Sequence, residues 1–307
     1  MSSALTYPEA VVVGLLQGVT ELFPVSSLGH SVLLPALVGG RWARDLSVSR
    51  PESPYLAFIV GLHVATAAAL LLFFWRDWVR IIGGFFTSLR HRRIQTADER
   101  LAWLIVLATI PVGVSGLLLE HTFRTVLGRP VPAAIFLTVN GVLLYGGERL
   151  RRRVSAEVEA AVAAAAGQPD ADLALAADRR LARLTLGQGT LIGTAQVLAL
   201  LPGISRSGVT MVAGLLRGLT HEDAARFSFL LATPVILAAG ALKLPDLAGP
   251  LGRGIGGQVL VGSVASFVSA YAAVRFLTRY FQTRTLTPFA IYCSVAGIGS
   301  LVVLSAR

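Results

Sequence analysis

Five residues that can bind or transfer protons and phosphate lie close together near the start of the chain. The segment QGVTELFPVSSLGH contains Gln17, Glu21, Ser26, Ser27 and His30. Gln17 and Glu21 are four positions apart, so on a helix they lie on one face. A carboxylate inside an apolar stretch is energetically costly and usually marks a functional site. The segment therefore predicts an acidic site with hydroxyl and imidazole groups within reach.

A second polar segment, PGISRSGVT, has the composition of a phosphate-binding loop. It contains Gly203, Ser205, Arg206, Ser207 and Thr210. A guanidinium matches two phosphate oxygens at once, and successive N–H groups in a glycine-rich turn form an anion-binding nest. An arginine in an apolar stretch also needs a counter-charge, which either Glu21 or a bound anion would supply. The pattern predicts that Arg206 and its neighbours bind phosphate.

The overall composition places both segments in a membrane protein. Of 307 residues, 54% are hydrophobic and only 14% are charged, whereas soluble domains average about 25% charged residues. The net charge of +10 is explained by arginine clusters that orient membrane helices, so no nucleic-acid partner is expected. The one cysteine, Cys293, excludes an intrachain disulfide. The expected fold is an all-α polytopic membrane protein formed by a single membrane domain, residues 1–307.

Six apolar runs are long enough to cross a bilayer, which takes about 20 residues. They are residues 55–75, 101–119, 131–147, 224–242, 257–277 and 287–304. Two further apolar stretches, 8–38 and 186–216, are interrupted by the polar segments described above. Irregular backbone at membrane depth is tolerated only where protein or a water-filled cavity satisfies it, and such breaks often mark a binding site. We therefore expect about six transmembrane helices and two re-entrant helical hairpins.

The two interrupted stretches align with each other without gaps at an offset of 179 positions. The matched residues are Gly14, Gln17, Ser26, Gly29 and Ser31 with Gly193, Gln196, Ser205, Gly208 and Thr210. This correspondence predicts repeat one at about 5–147, a cytoplasmic loop at about 148–185 and repeat two at about 186–305. The two copies differ at the reactive positions, since Glu21 aligns with Leu200 and Arg206 aligns with Ser27.

The basic residues predict that the repeats are inverted. If each interrupted stretch returns to the side of the membrane from which it entered, 18 of the 27 Lys and Arg residues lie on one side and eight on the other. The basic side comprises residues 76–100, 148–185, 217–226 and 275–285. The positive-inside rule assigns these loops to the cytoplasm. Both termini then face outward, and the hairpins enter from opposite sides. If the hairpins meet, their acid, hydroxyl, imidazole and guanidinium groups suit phosphoryl transfer.

The two motifs resemble those of the undecaprenyl-pyrophosphate phosphatase family associated with bacitracin resistance. The family's (E/Q)xxxE motif followed by PVSSxGH is matched from Gln17 to His30, and its PGxSRSxxT motif is matched from Pro202 to Thr210. The resemblance covers nearly the whole chain. One departure is Leu28, where the family often has a hydroxyl residue.

The resemblance implies an enzyme of the bacterial inner membrane whose active site opens to the outer face. It would hydrolyse polyprenyl (C55) diphosphate to the monophosphate and recycle the lipid carrier for cell-wall synthesis, with a divalent cation, Mg²⁺ or Ca²⁺, and often as a homodimer. By motif position, Gln17 and Glu21 would bind metal or act in acid–base chemistry, and Ser27 and His30 would be the nucleophile and its partner. Arg206 would be catalytic on the phosphates.

The same resemblance implies a phosphate-binding set around Arg206. Its members are Ser26, Gly203, Ser205, Ser207 and Thr210. Whether Ser27, His30 or water attacks phosphorus stays open at this point.

Other readings of the sequence are a transporter, another phosphatase class and a protease. A secondary transporter or lipid flippase shares inverted repeats and broken helices. Type-2 phosphatidic-acid phosphatases need a basic signature upstream, and no basic residue precedes Gln17. An intramembrane serine protease needs Gly-x-Ser-Gly, but Ser205 is followed by Arg206. The isolated His63 and His121 are expected to be structural or interfacial.

Overall fold

The computed structural model describes residues 5–46, 54–122, 126–162, 178–249 and 254–306, and within these ranges the chain forms helices and no strand. The principal α-helices are α1 (Tyr7–Leu22), α2 (Ser27–Val38), α3 (Gly40–Asp45), α4 (Pro54–Phe73), α5 (Trp75–His91), α6 (Ala97–Thr122), α7 (Pro130–Val162), α8 (Leu186–Ala195), α9 (Arg206–Leu215), α10 (His221–Ala248), α11 (Gly256–Tyr280) and α12 (Thr287–Ser305). Residues 163–177, the middle of the expected cytoplasmic loop, lie outside the described residues. The prediction of an all-α fold is confirmed for the described part of the chain.

Five helices of the described chain are long and apolar enough to cross a membrane. They are Ala97–Leu119, Pro130–Arg152, His221–Leu242, Gly256–Tyr280 and Thr287–Ser305. A sixth span results if α4 and α5, which meet at an angle of 86°, count as one. Large apolar side chains cover the outside of these helices, and Leu117 and Leu118 of α6 are more than 70% exposed. Five or six spans with an apolar exterior confirm a multi-pass membrane protein.

Buried ion pairs attach the amphipathic helix α5 to α10. Arg226 of α10 places Nη2 at 3.0 Å from Asp77 and Nε at 2.9 Å from Asp178. Arg80 contacts both of these carboxylates. Each buried charge therefore has partners of opposite sign, as buried ions require. The network connects α5 and α10 to residue 178, where the described chain resumes after the cytoplasmic loop.

Both interrupted stretches break where the sequence predicts. Helix α1 ends at Leu22, just before Pro24, and α2 begins at Ser27. Helix α8 continues as a 3-10 helix, Gln196–Leu200, and ends just before Pro202. Proline ends these helices because it lacks a backbone N–H and its ring clashes with the preceding turn.

The two broken segments have the same caps at corresponding positions. In each, the N-cap threonine of the first helix donates its backbone N–H to the side chain three residues further on, at 2.8 Å. In each, a serine caps the second helix by accepting from the N–H three residues on at 3.2 Å. These pairs are Thr6 with Glu9 and Thr185 with Gln188 at the first caps, and Ser26 with Gly29 and Ser205 with Gly208 at the serine caps. Each pair is related to its counterpart by the offset of 179 positions.

Each broken segment packs tightly against a long helix from the other half of the chain. Helix α1 meets α11 at Gly14, where a Cβ atom would come within 2.3 Å of the Gly262 carbonyl oxygen. Helix α8 meets α6 at Gly193, where a Cβ would come within 2.1 Å of the Ala108 carbonyl oxygen. No side chain fits at either contact. Glycine is required there because it allows the two helix backbones to touch.

Candidate active site

The two breaks contact each other through the hydroxyl of Ser26. Its Oγ accepts hydrogen bonds from the N–H of Gly29 in its own segment and of Gly203 in the other, both at 3.2 Å. Gly203 has a φ of +114°, and a Cβ there would lie within 2.4 Å of the Ala133 carbonyl oxygen. Ser26 itself has a φ of 70°, a conformation that non-glycine residues adopt rarely and mainly under constraint. The structure thus brings the acidic and basic motifs into direct contact.

Asn140 of α7 connects the same two breaks. Its Nδ2 donates to the Pro24 carbonyl oxygen at 3.1 Å, and its Oδ1 accepts from the Ser205 N–H at 3.0 Å. The side chain is fully buried. Sequence reasoning did not single out Asn140, although an asparagine in the middle of the apolar run 131–147 was a usable signal, because polar groups at that depth need partners.

The carboxylate of Glu21 is the centre of the site. Its Oε2 accepts from Ser27 Oγ at 2.5 Å and from Gln17 Nε2 at 3.1 Å. Its Oε1 accepts from Arg206 Nη2 at 3.1 Å. The Glu21 side chain is only 8% exposed and that of Arg206 11%. The acid, a hydroxyl and the guanidinium from the two motifs therefore form one connected group.

His63 of α4 belongs to this group as well. Its Nδ1 lies 2.9 Å from the Ile59 carbonyl oxygen, so Nδ1 carries a proton and donates it. Its Nε2 points at Glu21 Oε2 from 3.4 Å. The sequence interpretation of His63 as an isolated structural histidine missed this position. A histidine inside the apolar run 55–75 was the only signal, and no nearby motif connected it to Glu21.

A cavity of about 200 Å³ opens beside Glu21. The lining residues come from both motifs, from the 3-10 helix and from three long helices: Thr20, Glu21, Ser26, Ser27, Leu28, His63, Val112, Gln196, Ala199, Leu200, Ile204, Ser205, Arg206, Val235, Ile236 and Ala239. Since a water occupies about 30 Å³ of liquid, the volume suits a phosphate group with a few waters. A larger cavity of about 570 Å³ lies among Arg151, Arg180 and Arg284. It contains none of the residues predicted for the site.

The predicted phosphate-binding residues divide into two sets. Ser26 and Ser205 line the cavity. Ser207 donates to the Phe23 carbonyl oxygen at 3.1 Å, and Thr210 donates to the carbonyl oxygen of Arg206 at 2.7 Å. Together with Gly203, these two residues shape the loop behind Arg206 and do not line the cavity.

His30 also lies away from the cavity. Its Nδ1 is 2.7 Å from the Ser26 carbonyl oxygen, and its Nε2 is 2.8 Å from the hydroxyl of Tyr292 on α12. Both ring nitrogens are therefore used. The resemblance implies His30 as the partner of Ser27, but in the structure the Ser27 hydroxyl donates to Glu21.

Oxygen atoms suited to a divalent cation are present near Glu21. Within the described residues, Gln17 Oε1 and Gln196 Oε1 are buried and accept no hydrogen bond. The same part of the chain has no cluster of three His, Cys, Asp or Glu side chains that would hold a metal by itself. Magnesium commonly binds through one or two carboxylates together with substrate phosphates, and calcium also accepts amide oxygens. The residues present therefore fit such an ion when a phosphate contributes further ligands.

Comparisons with known proteins show the family to which the chain belongs. Residues 10–299 match the family described as bacitracin resistance protein BacA. The chain is 73% identical over all 307 residues, the full length of both proteins, to an undecaprenyl-diphosphatase of Mycolicibacterium paratuberculosis. It is 54% identical to undecaprenyl-diphosphatase 1 of Frankia casuarinae, covering 96% of this chain and 97% of the relative. An undecaprenyl-diphosphatase of Granulibacter bethesdensis is 43% identical over 95% of each chain. On this match, which includes both motifs around Glu21 and Arg206, the chain belongs to the bacitracin resistance protein BacA family.

Proposed function

We propose that this protein is a membrane-embedded phosphatase that hydrolyses undecaprenyl diphosphate to the monophosphate and inorganic phosphate. The observation that supports this most directly is the Ser27–Glu21–Arg206 group beside a phosphate-sized cavity. Relatives at up to 73% identity over the full length bear the name of this activity. Release of the carrier monophosphate makes it available again for cell-wall synthesis.

Ser27 is the proposed nucleophile and Glu21 its base. The serine hydroxyl donates to Glu21 Oε2 at 2.5 Å, so the carboxylate takes this proton as Ser27 Oγ attacks the terminal phosphorus. The bridging P–O bond breaks, and its electrons leave with the polyprenyl monophosphate. Water then attacks the phosphoserine, inorganic phosphate departs, and Ser27 recovers its proton from Glu21. A nucleophile with an adjacent base is the usual arrangement for such covalent catalysis.

Arg206 stabilises the negative charge that spreads over the terminal phosphoryl oxygens. One nitrogen bonds Glu21 at 3.1 Å and another approaches the Ser228 carbonyl oxygen at 3.4 Å. These contacts fix the guanidinium plane at the cavity wall with further N–H groups left for phosphate. Positioning and cationic stabilisation of this kind account for most catalysis of phosphoryl transfer. Ser26 and Ser205 offer hydroxyls to the same anion, while Gly203, Ser207 and Thr210 hold the loop that supports it.

His63 orients the Glu21 carboxylate during this reaction. Its Nδ1 is anchored on Ile59 at 2.9 Å, which directs Nε2 toward Glu21 Oε2. The ring limits rotation of the carboxylate away from Ser27. His30, which bonds Ser26 and Tyr292, would act through the position of the Ser26 backbone.

A divalent cation, Mg²⁺ or Ca²⁺, would neutralise part of the diphosphate charge and polarise the phosphorus–oxygen bonds. Glu21 would hold it, since Oε1 has a lone pair beyond the one that accepts from Arg206. Gln17 Oε1 is a second hard oxygen nearby.

The proposed topology is an inverted repeat with two re-entrant hairpins in the bacterial inner membrane, the site opening to the outer face. The matched caps at an offset of 179 positions and the reciprocal packing of α1 on α11 and α8 on α6 support the repeat. The excess of basic residues in the assigned cytoplasmic loops supports the orientation. Apolar helix faces exposed along the bundle are compatible with a homodimer.

Phosphate release by purified protein tests the proposal. Detergent-solubilised protein is supplied with undecaprenyl diphosphate, and the variants Glu21→Ala, Ser27→Ala and the double variant are compared at matched folded protein. We expect both single variants to lose nearly all turnover and the double variant to be hardly worse, since groups acting as a unit are strongly non-additive. The milder Gln17→Ala variant serves as a comparison, because an amide takes no proton. Near-full activity of Ser27→Ala would remove serine as nucleophile, and no phosphate release from the natural protein would refute the function.

A further inference from the structure

The side chain of Gln196 has an oxygen that the structure leaves without a partner. Gln196 begins the 3-10 helix that continues α8 and is completely buried. Its Nε2 donates to the Gly193 carbonyl oxygen at 3.3 Å. Its Oε1 accepts no hydrogen bond, and the residue lines the same cavity as Glu21 and Arg206.

The orientation of this amide determines which ligand it can bind. Exchanging the oxygen and nitrogen would bring Oε1 against the Gly193 carbonyl oxygen, where two acceptors repel. Gln196 lines the cavity, and its unpaired oxygen therefore faces away from the Gly193 carbonyl oxygen. A buried acceptor without a partner is energetically costly, so a donor or a cation is expected there in the working enzyme. Phosphate oxygens are themselves acceptors and do not meet this need.

A corresponding oxygen comes from the first half of the chain. Gln17 aligns with Gln196 at the offset of 179 positions, and its Oε1 is likewise buried without a hydrogen bond. Its Nε2 donates to Glu21 at 3.1 Å. Each half of the chain thus has a buried amide oxygen without a hydrogen bond, that of Gln17 beside Glu21 and that of Gln196 in a residue that lines the cavity. Neutral and anionic oxygens of this kind are the ligands that Mg²⁺ and Ca²⁺ prefer.

We propose that Gln196 is a ligand of the divalent cation, so that the second half of the chain contributes an amide oxygen to an ion held by Glu21 from the first. The inference rests on the proposed function, because the substrate diphosphate supplies the remaining ligands. Gln196 belongs to neither of the two motifs from which the sequence predicts the site.

The test measures cation affinity separately from turnover. Full-length Ser27→Ala protein in detergent, saturated with undecaprenyl diphosphate, is titrated with Mn²⁺, and bound ion is measured by electron paramagnetic resonance. Adding Gln196→Ala should weaken Mn²⁺ binding about ten-fold or more, the loss typical when a group supporting a metal site is removed. The matched control is Gln188→Ala, two turns earlier on the same helix, where the side chain caps Thr185. It should leave Mn²⁺ binding unchanged.

A second pair of variants changes the charge. Gln196→Glu keeps the size of the side chain and is made in protein that retains Ser27. It should lower the Mg²⁺ concentration needed for half-maximal hydrolysis several-fold. Gln188→Glu, which retains the cap, should not. If Gln196→Ala does not fold, Gln196→Glu decides the question alone.

Three results would overturn the inference. Unchanged Mn²⁺ and Mg²⁺ affinity in the Gln196 variants would mean that the oxygen orders a water. Full activity of the natural protein in excess chelator would show that hydrolysis needs no divalent cation, while the phosphatase function itself would stand. Mn²⁺ binding that does not depend on the diphosphate lipid, in a protein that releases no phosphate, would refute the proposed function itself.

Discussion

Replacing Asn140 by leucine should loosen the contact between the two helix breaks without touching any reactive group. Asn140 donates to the Pro24 carbonyl oxygen at 3.1 Å and accepts from the Ser205 N–H at 3.0 Å. Leucine has the same number of side-chain heavy atoms and the same branching as asparagine, but it neither donates nor accepts a hydrogen bond. The variant therefore leaves two buried backbone groups without their principal partner, one in each broken segment.

The size of the effect follows from these two groups. Each unsatisfied buried donor or acceptor costs about 1–3 kcal/mol. The Pro24 carbonyl keeps a weak contact with the Cys293 thiol at 3.7 Å, which reduces the loss on that side. The free energy of unfolding should fall by about 2–4 kcal/mol. Turnover should fall as well, because a displacement of about 1 Å at the reacting groups can reduce the rate about 100-fold.

Stability and turnover are measured on the same preparations. Unfolding is followed by dodecyl sulfate titration of the detergent-solubilised protein, and turnover by phosphate release from undecaprenyl diphosphate. The matched control is Thr138→Val on the same helix, where the lost hydroxyl bonds only the Ala134 carbonyl oxygen; its stability should change by less than about 0.5 kcal/mol. If Asn140→Leu unfolds and turns over like the natural protein, the view that Asn140 holds the breaks in register is wrong.

Three further predictions test other parts of the site and the topology. Arg206→Lys keeps the charge but loses the planar fork, so kcat/KM should fall about ten-fold or more; kinetics equal to the natural protein would make Arg206 only a counter-ion. His63→Gln, which cannot hold the same two contacts, should lower kcat about ten-fold with little change in KM if it positions Glu21, and an effect on KM alone would contradict that role. A cysteine introduced at Ala163 in a protein without Cys293 should resist an impermeant thiol reagent in whole cells, and strong labelling would reverse the orientation.

The breaks and the two motifs were predictable because they depend on local chemistry. Proline, glycine and charged residues inside apolar runs identify a broken helix. The structure has these breaks immediately before Ser27 and Arg206, each with a serine cap. The predicted six spans are also close to the five or six that the structure has, because the length of an apolar run is read directly from the sequence.

The partners across the site were not predictable, since each depends on long-range packing. His63 reaches Glu21 only because α4 and α1 pack together, and Asn140 reaches both breaks only because α7 lies behind them. No proline or glycine lies at the 86° bend after α4, so the sequence does not predict it. The buried pairing of Asp77 with Arg226 accompanies that bend, and its partners are 149 positions apart.

The proposed repeat accounts for the meeting of the proposed nucleophile, Ser27, and the guanidinium of Arg206 at one carboxylate. Ser27 and Arg206 occupy corresponding positions at an offset of 179, and each is the first residue of its helix after a serine cap. Both bond Glu21, one to each oxygen, whereas the counterpart of Glu21, Leu200, only lines the cavity. Two copies of the first half would have two serines and two carboxylates but no arginine. Two copies of the second half would have two arginines but neither the carboxylate nor the serine that it contacts. A second carboxylate at position 200 would lack an arginine and would repel the diphosphate. In the proposed mechanism, divergence of the halves therefore leaves one acid, one nucleophilic hydroxyl and one guanidinium, a set that both activates the hydroxyl and balances the charge of a phosphate inside the membrane.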